Sequence, residues 1–197
     1  MQPVFIGLAG PSGAGKTTLV RHITTNYPTI THIRLDGFFK AFETFPMHGE
    51  FVNRETPENI KWDEFHAALQ SLRAGLPTEF PLYEKKSGVQ CGTELITPSP
   101  IVFVEGFLLY HDPRISELLD AKFYLHVSPE EQYRRKKARW PEMDDTYFYQ
   151  VVVPVFVQYG SRGADVADAV INGDAPEADV IAELEKTPAF RRFLSKI

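Results

Sequence analysis

A glycine-rich stretch near the start of the chain contains the residues best suited to binding an anion. Residues 10–17 read Gly-Pro-Ser-Gly-Ala-Gly-Lys-Thr and match the pattern G-x-x-x-x-G-K-[ST] without a mismatch. Glycines let successive backbone N–H groups converge on an anion, and a helix starting there adds the positive end of its dipole. We call residues 10–17 the phosphate loop. The candidate nucleotide-binding residues are Gly10, Ser12, Gly13, Ala14, Gly15, Lys16, Thr17 and the following Thr18.

Two side chains of the phosphate loop have distinct expected roles. Lys16 offers a mobile positive charge to the β- and γ-phosphates, and the hydroxyl of Thr17 can bind Mg²⁺. The motif alone does not separate kinases, GTPases, ATPases and motor modules. The sequence contains no guanine-reading Asn-Lys-x-Asp pattern, which disfavours a GTPase.

Two acidic residues follow short apolar runs that we interpret as buried strands. Asp36 comes after residues 31–35, and Glu105 comes after residues 101–104. Ligands of open α/β sheets bind at the carboxyl ends of strands. One acid can accept the proton of an attacking hydroxyl, and the other can hold Mg²⁺ or its waters. The alternative for each acid is a helix cap or a loop residue in solvent. Because a phosphate loop is present, we favour a catalytic role for these acids, and we expect Thr17, Asp36 and Glu105 to bind the metal ion.

A cluster of positive charge occurs in a chain whose net charge is −5. Residues 134–139 read Arg-Arg-Lys-Lys-Ala-Arg and lie on a helix predicted to start at Ser128 and Pro129. Residues 135 and 139 share a helix face. We therefore expect Arg135 and Arg139 to offset charge on a transferring phosphoryl group, with a solvated helix face as the alternative.

The alternation of short apolar runs and helical patterns predicts an α/β fold with a mostly parallel sheet covered on both faces. The expected strands are 4–9, 31–35, 101–104, 121–127 and 168–171, and the expected helices are 17–26, 60–74, 112–119, one starting at 129, 147–159 and 178–185. The pattern of residues 77–100 predicts a hairpin or an irregular loop. The chain is expected to be one domain over 1–197, with a covering loop at about 36–58 and a lid at about 139–147.

Composition excludes several function classes. A mildly acidic chain of 197 residues lacks the basic footprint of a sequence-independent nucleic-acid binder. Cys91 is the single cysteine, so an internal disulfide is ruled out and a reducing compartment is the simplest interpretation. The apolar runs are far shorter than the ~20 residues that span a bilayer. We expect a cytoplasmic protein with no membrane partner, either a monomer or a homodimer.

Three segments together resemble a known family. Residues 36–40 (Asp-Gly-Phe-Phe-Lys), residues 104–110 (Val-Glu-Gly-Phe-Leu-Leu-Tyr) and the basic run are similar to those of the nicotinamide riboside kinase and uridine kinase group of P-loop kinases. The first two of these segments, and residues 147–156, are closest to nicotinamide riboside kinases. The resemblance covers nearly the whole chain. It implies a nucleoside-monophosphate-kinase-like, three-layer α/β/α fold with a five-stranded parallel sheet, and ATP-dependent phosphorylation of a ribonucleoside 5′-hydroxyl.

The resemblance also implies roles for individual residues. Asp36 matches a general base beside Mg²⁺. Trp62 and Asp63 match an aromatic–acid pair that covers the base and binds ribose hydroxyls. Lys136 stands where nicotinamide riboside kinases carry a ribose-contacting arginine. Further matches are the Mg²⁺ ligand Thr17, the lid arginines Arg135 and Arg139, the adenine-side loop residues Gly173 and Asp174, and candidate substrate contacts at Phe39, Tyr83, Glu105 and Trp140.

The acceptor is expected to be a nucleoside similar to nicotinamide riboside, in a role in NAD salvage. An indole such as that of Trp62 beside acids suits a cationic pyridinium ring through cation–π attraction of ~1–2 kcal/mol, unless Trp62 is a core residue. Tyr83 lies in a stretch similar to one with which uridine kinases read a pyrimidine, although residues 85–88 depart from it. The alternatives are therefore a uridine or cytidine kinase, a kinase for another alcohol such as pantothenate or a sugar, and a regulatory module that binds nucleotide without turnover.

Overall fold

The computed structural model describes residues 2–84 and 88–194. Its strands are β1 (Val4–Ala9), β2 (Ile30–Arg34), β3 (Met47–His48), β4 (Phe51–Val52), β5 (Thr78–Glu84), β6 (Val89–Ile96), β7 (Ile101–Gly106), β8 (Ala121–His126) and β9 (Ala169–Asn172). Its helices are α1 (Lys16–Asn26), α2 (Trp62–Arg73), α3 (Pro113–Glu117), α4 (Pro129–Arg139), α5 (Asp145–Tyr147), α6 (Val153–Tyr159), α7 (Glu177–Lys186) and α8 (Pro188–Leu194).

Five strands form one parallel sheet in the order β2-β7-β1-β8-β9. In its register, Arg34 pairs with Glu105 and Ala9 pairs with Gly106. The strands β2, β7 and β1 therefore end side by side at one edge. This arrangement confirms the predicted fold class, and it brings the segments that follow these strands together.

Side chains that alternate along the strands fill a core on each face of the sheet. Phe5 and Val104 pack on the face covered by α2, whereas Ile6 and Phe103 pack on the face covered by α1, α7 and α8. Since both faces are buried, these strands are almost continuously apolar, which is why the sequence revealed them. The result is the expected three-layer α/β/α arrangement.

The segments between the core elements match the predictions less evenly. Residues 77–100 contain the antiparallel hairpin β5–β6, while Lys85–Ser87 lie outside the described residues. The covering loop holds three short 3₁₀ turns and the small hairpin β3–β4. The predicted helix 147–159 is instead a helical stretch with a widened π turn at Phe148–Val152. Pro154 follows this turn, and its missing N–H disturbs regular α-helical bonding there.

The start of α4 was predicted from the sequence, whereas the last described helix, α8, was not. Ser128 accepts a hydrogen bond from the Glu131 backbone N–H, which confirms the predicted start of that helix. The sequence did not predict α8, because its two buried phenylalanines, Phe190 and Phe193, give only one turn of helical spacing. In the described part of the chain, no helix is long and apolar enough to cross a membrane.

We expect Phe190→Ala to lower the free energy of unfolding by about 3–5 kcal/mol, as for other buried phenylalanines. The Phe190 ring is fully buried, and its centroid lies 6.3 Å from those of both Phe103 and Phe123. Urea unfolding measures the change, with the exposed Arg191→Ala on the same helix as the control. A loss below 1 kcal/mol for Phe190→Ala would show that α8 does not complete this core.

Candidate active site

The phosphate loop follows β1 and wraps around the start of α1. Gly13 and Gly15 have φ values of +86° and +101°, in the left-handed region that favours glycine. The Lys16 ammonium donates to the carbonyls of Gly10 at 2.9 Å and Pro11 at 3.0 Å. A Cβ on Gly10 would lie 2.3 Å from the Leu125 carbonyl oxygen, so this glycine permits the loop to rest against β8.

Thr17 and Glu105 meet beneath the phosphate loop. The Thr17 hydroxyl donates to Glu105 Oε1 at 2.6 Å, and Nε2 of His32 lies 3.4 Å from the same oxygen. Glu105 is only 4% exposed. Burial raises the pKa of this carboxyl, but the contact with His32, the charge of Lys16 and the Thr17 hydroxyl together hold the pKa below its ordinary value. The carboxylate form of Glu105 is therefore favoured, as a cation ligand requires.

One cleft of about 800 Å³ joins the phosphate loop to the acids and to the covering loop. Asp36 lies in the 3₁₀ turn Leu35–Phe38 that follows β2, and it lines this cleft together with Lys16, Thr17 and Glu105. The predicted candidates that the cleft brings together are Ser12, Gly13, Gly15, Lys16, Thr17, Thr18, Asp36, Phe39, Tyr83, Glu105, Arg135, Lys136, Arg139 and Trp140.

The two predicted arginines of α4 have different surroundings. The Arg135 guanidinium donates to the carbonyls of Ala14 and Gly173, each at 2.7 Å. It therefore ties the phosphate loop to the segment after β9. Arg139 lies with its guanidinium carbon 4.5 Å from the Trp140 ring centroid, and both residues line the cleft.

A buried ion pair connects α4 to the covering loop. The Lys136 ammonium lies 3.0 Å from Glu55 Oε1 and donates to Ser12 Oγ at 2.5 Å. The Ser12 hydroxyl lies 3.2 Å from the same Glu55 oxygen. Lys136 is 6% exposed and Glu55 is 5% exposed, so the pair is shielded from water. Sequence reasoning missed Glu55, because a single acid in a long loop gives no periodic or spacing signal.

Aromatic rings form the wall of the cleft beyond these charges. The Phe39 ring stacks on Phe107 at a centroid distance of 5.9 Å and lies 5.3 Å from Tyr83. Phe51 meets Tyr147 at 5.6 Å. Burial raises the pKa of the Tyr147 hydroxyl, and the nearby charge of Glu55 raises it further. This wall can cover the flat face of a ring-containing ligand.

The structure does not bring Trp62 and Asp63 into this cleft. Both line a separate cavity of about 640 Å³. The Trp62 indole donates to the Pro57 carbonyl at 2.9 Å, and the largely exposed Asp63 carboxylate pairs with Arg114 at 2.8 Å. Glu55, which the sequence did not predict, is among the acids that line the main cleft.

Gly173 and Asp174 also lie outside the residues that line the cleft. Asp174 accepts a hydrogen bond from the Ser128 backbone N–H, at the start of α4. Gly173 receives the hydrogen bond from Arg135 described above. Both residues therefore make hydrogen bonds within the protein. A contact of either residue with adenine stays a prediction.

The model of the phosphoribulokinase/uridine kinase family matches residues 5–173. The chain belongs to this family. A uridine kinase of Borreliella burgdorferi is 30% identical over 136 residues, which cover 68% of this chain and 66% of that protein. A uridine kinase of Brevibacillus brevis is 28% identical over 180 residues, covering 86% of this chain and 84% of the relative.

Solved structures of low identity support the fold. Phosphoribulokinase from Rhodobacter spheroides superposes with a TM-score of 0.64 at 12% identity, over 91% of this chain and 74% of that one. Membership of the phosphoribulokinase/uridine kinase family confirms the resemblance found in the sequence. The matched part of the Borreliella relative is 66% of that protein's length, slightly under two thirds. The substrate in its name is a property of that relative.

We expect the contribution of Glu105 to the free energy of unfolding to depend on pH. Its folded-state pKa is lowered from 4.5, so the contribution is fully present above about pH 4.5 and is lost as pH falls through the lower folded value. The difference between wild type and Glu105→Gln should therefore be larger at pH 7 than at pH 3. Urea unfolding over this range measures it, with the exposed Glu64→Gln as the control. A difference that does not change with pH would contradict the prediction.

We expect Glu55→Ala and Lys136→Ala each to cost about 3–5 kcal/mol of stability, because each leaves a buried charge unpaired. The double variant should cost much less than the sum of the two. A double-mutant cycle by urea unfolding measures the coupling. The pair Lys61–Glu64, whose side chains are 31% and 61% exposed, is expected to couple by less than about 1 kcal/mol and serves as the matched control. Equal coupling in the two pairs would show that Glu55 and Lys136 do not form a shielded pair.

Proposed function

We propose that the protein transfers the γ-phosphoryl group of ATP, with Mg²⁺, to the 5′-hydroxyl of a pyrimidine ribonucleoside of the uridine or cytidine type. The observation that carries this proposal is a single cleft with a phosphate loop at one end and an aromatic wall at the other. Asp36 lies in the same cleft, and so does the Glu55–Lys136 pair. Residues 1–197 would act as one kinase domain, with the covering loop and the lid closing over the acceptor.

The phosphate end suits a magnesium nucleotide. The Thr17 hydroxyl and the Glu105 carboxylate offer two oxygen atoms 2.6 Å apart, and Asp36 adds a carboxylate to the same cleft. Magnesium prefers such hard oxygen ligands and is commonly held by one or two protein groups together with phosphates. When bound there, Mg²⁺ would help neutralise the charge that develops on the phosphoryl oxygens.

The acceptor end suits a ribose. The Asp36 carboxylate accepts the proton of the 5′-hydroxyl. The 5′-oxygen of the nucleoside forms a bond to the γ-phosphorus, and the bond from that phosphorus to the ADP oxygen breaks. Glu55 offers carboxylate oxygens to the ribose hydroxyls, and Lys136 holds that carboxylate in place. The rings of Phe39 and Tyr83 cover the base.

Lys16 of α1 and two arginines of α4 divide the remaining tasks. Lys16 and Arg139 offset charge on the transferring phosphoryl group, since both line the cleft. Arg135 holds the phosphate loop in position through its bonds to two backbone carbonyls, and its remaining N–H groups can contact phosphate oxygens.

Two findings favour a pyrimidine nucleoside over nicotinamide riboside, which reverses the order expected from the sequence. The relatives reported above are named uridine kinases. The indole that was expected to attract a pyridinium ring lies in the separate cavity. ADP formation from Mg·ATP with uridine, cytidine and nicotinamide riboside tests the proposal, and the pyrimidines should give the higher kcat/KM. Turnover confined to nicotinamide riboside would overturn it.

We expect Asp36→Asn to lower kcat by about 10²- to 10⁴-fold, because the variant cannot accept the proton of the acceptor. Nucleotide binding should be retained, as measured by ATP titration of the variant. Asp63→Ala is the control: its side chain is 91% exposed and outside the cleft, so KM for the nucleoside should stay within about twofold. Full activity of Asp36→Asn would remove Asp36 as the base.

A further inference from the structure

Arg54 occupies a fixed place on the covering loop at the acceptor end of the cleft. Its neighbours Asn53 and Glu55 are both buried, while Arg54 itself is exposed and lines the cleft. The Asn53 side chain accepts from the Glu55 backbone N–H at 3.0 Å, and Asn59 donates to the Asn53 carbonyl at 2.8 Å. These hydrogen bonds fix the backbone on both sides of Arg54, and they therefore fix the position from which its side chain extends.

The guanidinium of Arg54 is directed along the aromatic wall. Its central carbon lies 4.4 Å from the centroid of the Phe42 ring, which also lines the cleft. Burial raises the pKa of the Tyr83 hydroxyl and that of Tyr147, and the positive charge of Arg54 opposes both shifts. The charge of Arg54 thus acts on the two tyrosines that flank the acceptor end.

In residues 2–84 and 88–194, no carboxylate forms an ion pair with Arg54. The adjacent Glu55 is already paired with Lys136. A guanidinium has N–H donors only and cannot lose its charge in a protein. A ring that binds against this wall therefore meets a permanent positive charge.

We propose that Arg54 determines acceptor specificity by favouring rings that present carbonyl or carboxylate oxygens and disfavouring cationic rings. The inference rests on the proposed function, since it names the chemistry of the acceptor in that same site. Carbonyl and carboxylate oxygens can accept the guanidinium N–H groups, which a pyridinium cation would instead repel. The residue would thus separate neutral or anionic nucleosides from cationic ones.

Nicotinate riboside and nicotinamide riboside provide a matched test. They share ring and sugar and differ by a carboxylate in place of an amide, so their net charges differ by one. In wild type we expect kcat/KM for nicotinate riboside, and for uridine, to exceed that for nicotinamide riboside by about tenfold or more. Arg54→Ala should reduce both ratios about tenfold, and Arg54→Glu should reduce them further. A ratio measured within one variant cancels any loss of folded protein.

Lys61→Glu is the matched control, because it changes the net charge as Arg54→Glu does but lies at the separate cavity. Its ratios should equal those of wild type. If wild type does not detectably turn over nicotinamide riboside, turnover of nicotinamide riboside by Arg54→Glu supports the proposal. If Arg54→Glu also fails to turn it over, the proposal is overturned. Turnover of uridine with unchanged ratios in both Arg54 variants overturns this inference alone. No turnover of any nucleoside by wild type overturns the proposed function and the inference with it.

Discussion

In the central sheet, Arg34 pairs with Glu105 and Ala9 pairs with Gly106, so three parallel strands end at one edge. The phosphate loop, Asp36 and Glu105 all follow from this register, because each lies at or just after one of these strand ends. A shift of one residue would send Glu105 to the opposite face of the sheet, away from Thr17. The apolar side chains that alternate between the two cores prevent that shift. The packing of the sheet thus sets the geometry of the phosphate site.

Residues far apart in the chain complete the acceptor side. Lys136 on α4 and Glu55 on the covering loop are 81 positions apart, yet their charged groups lie 3.0 Å from each other and meet Ser12 of the phosphate loop. One buried pair therefore connects three segments that would act together in the proposed phosphoryl transfer. A carboxylate held by such a pair is available to hydroxyl donors without the cost of an unpaired buried charge.

The sequence predicted the parts of this protein that depend on local pattern. β1 was placed at residues 4–9 and the phosphate loop directly after it, since an apolar run and a glycine-rich motif are both local signals. Glu55 was not predicted, because its burial depends on Lys136, which no local pattern connects to it. Trp62 and Asp63 were expected to bind a nucleoside only because the family resemblance implied it. The indole instead donates to the Pro57 carbonyl, at the turn Pro57–Asn59, and Asp63 is exposed. The acceptor side therefore depends on long-range packing, whereas the phosphate side can be predicted from its motif.

Identification of the phosphorylated position tests the central claim most directly. The protein would be incubated with Mg·ATP and either uridine or 5′-deoxyuridine, and the products analysed by ³¹P NMR and mass spectrometry. The account predicts equal amounts of ADP and uridine 5′-monophosphate from uridine, and neither product from 5′-deoxyuridine. Phosphate on the 2′- or 3′-oxygen, or equal ADP release with both nucleosides, would contradict a cleft that places the 5′-hydroxyl between Asp36 and the phosphate loop.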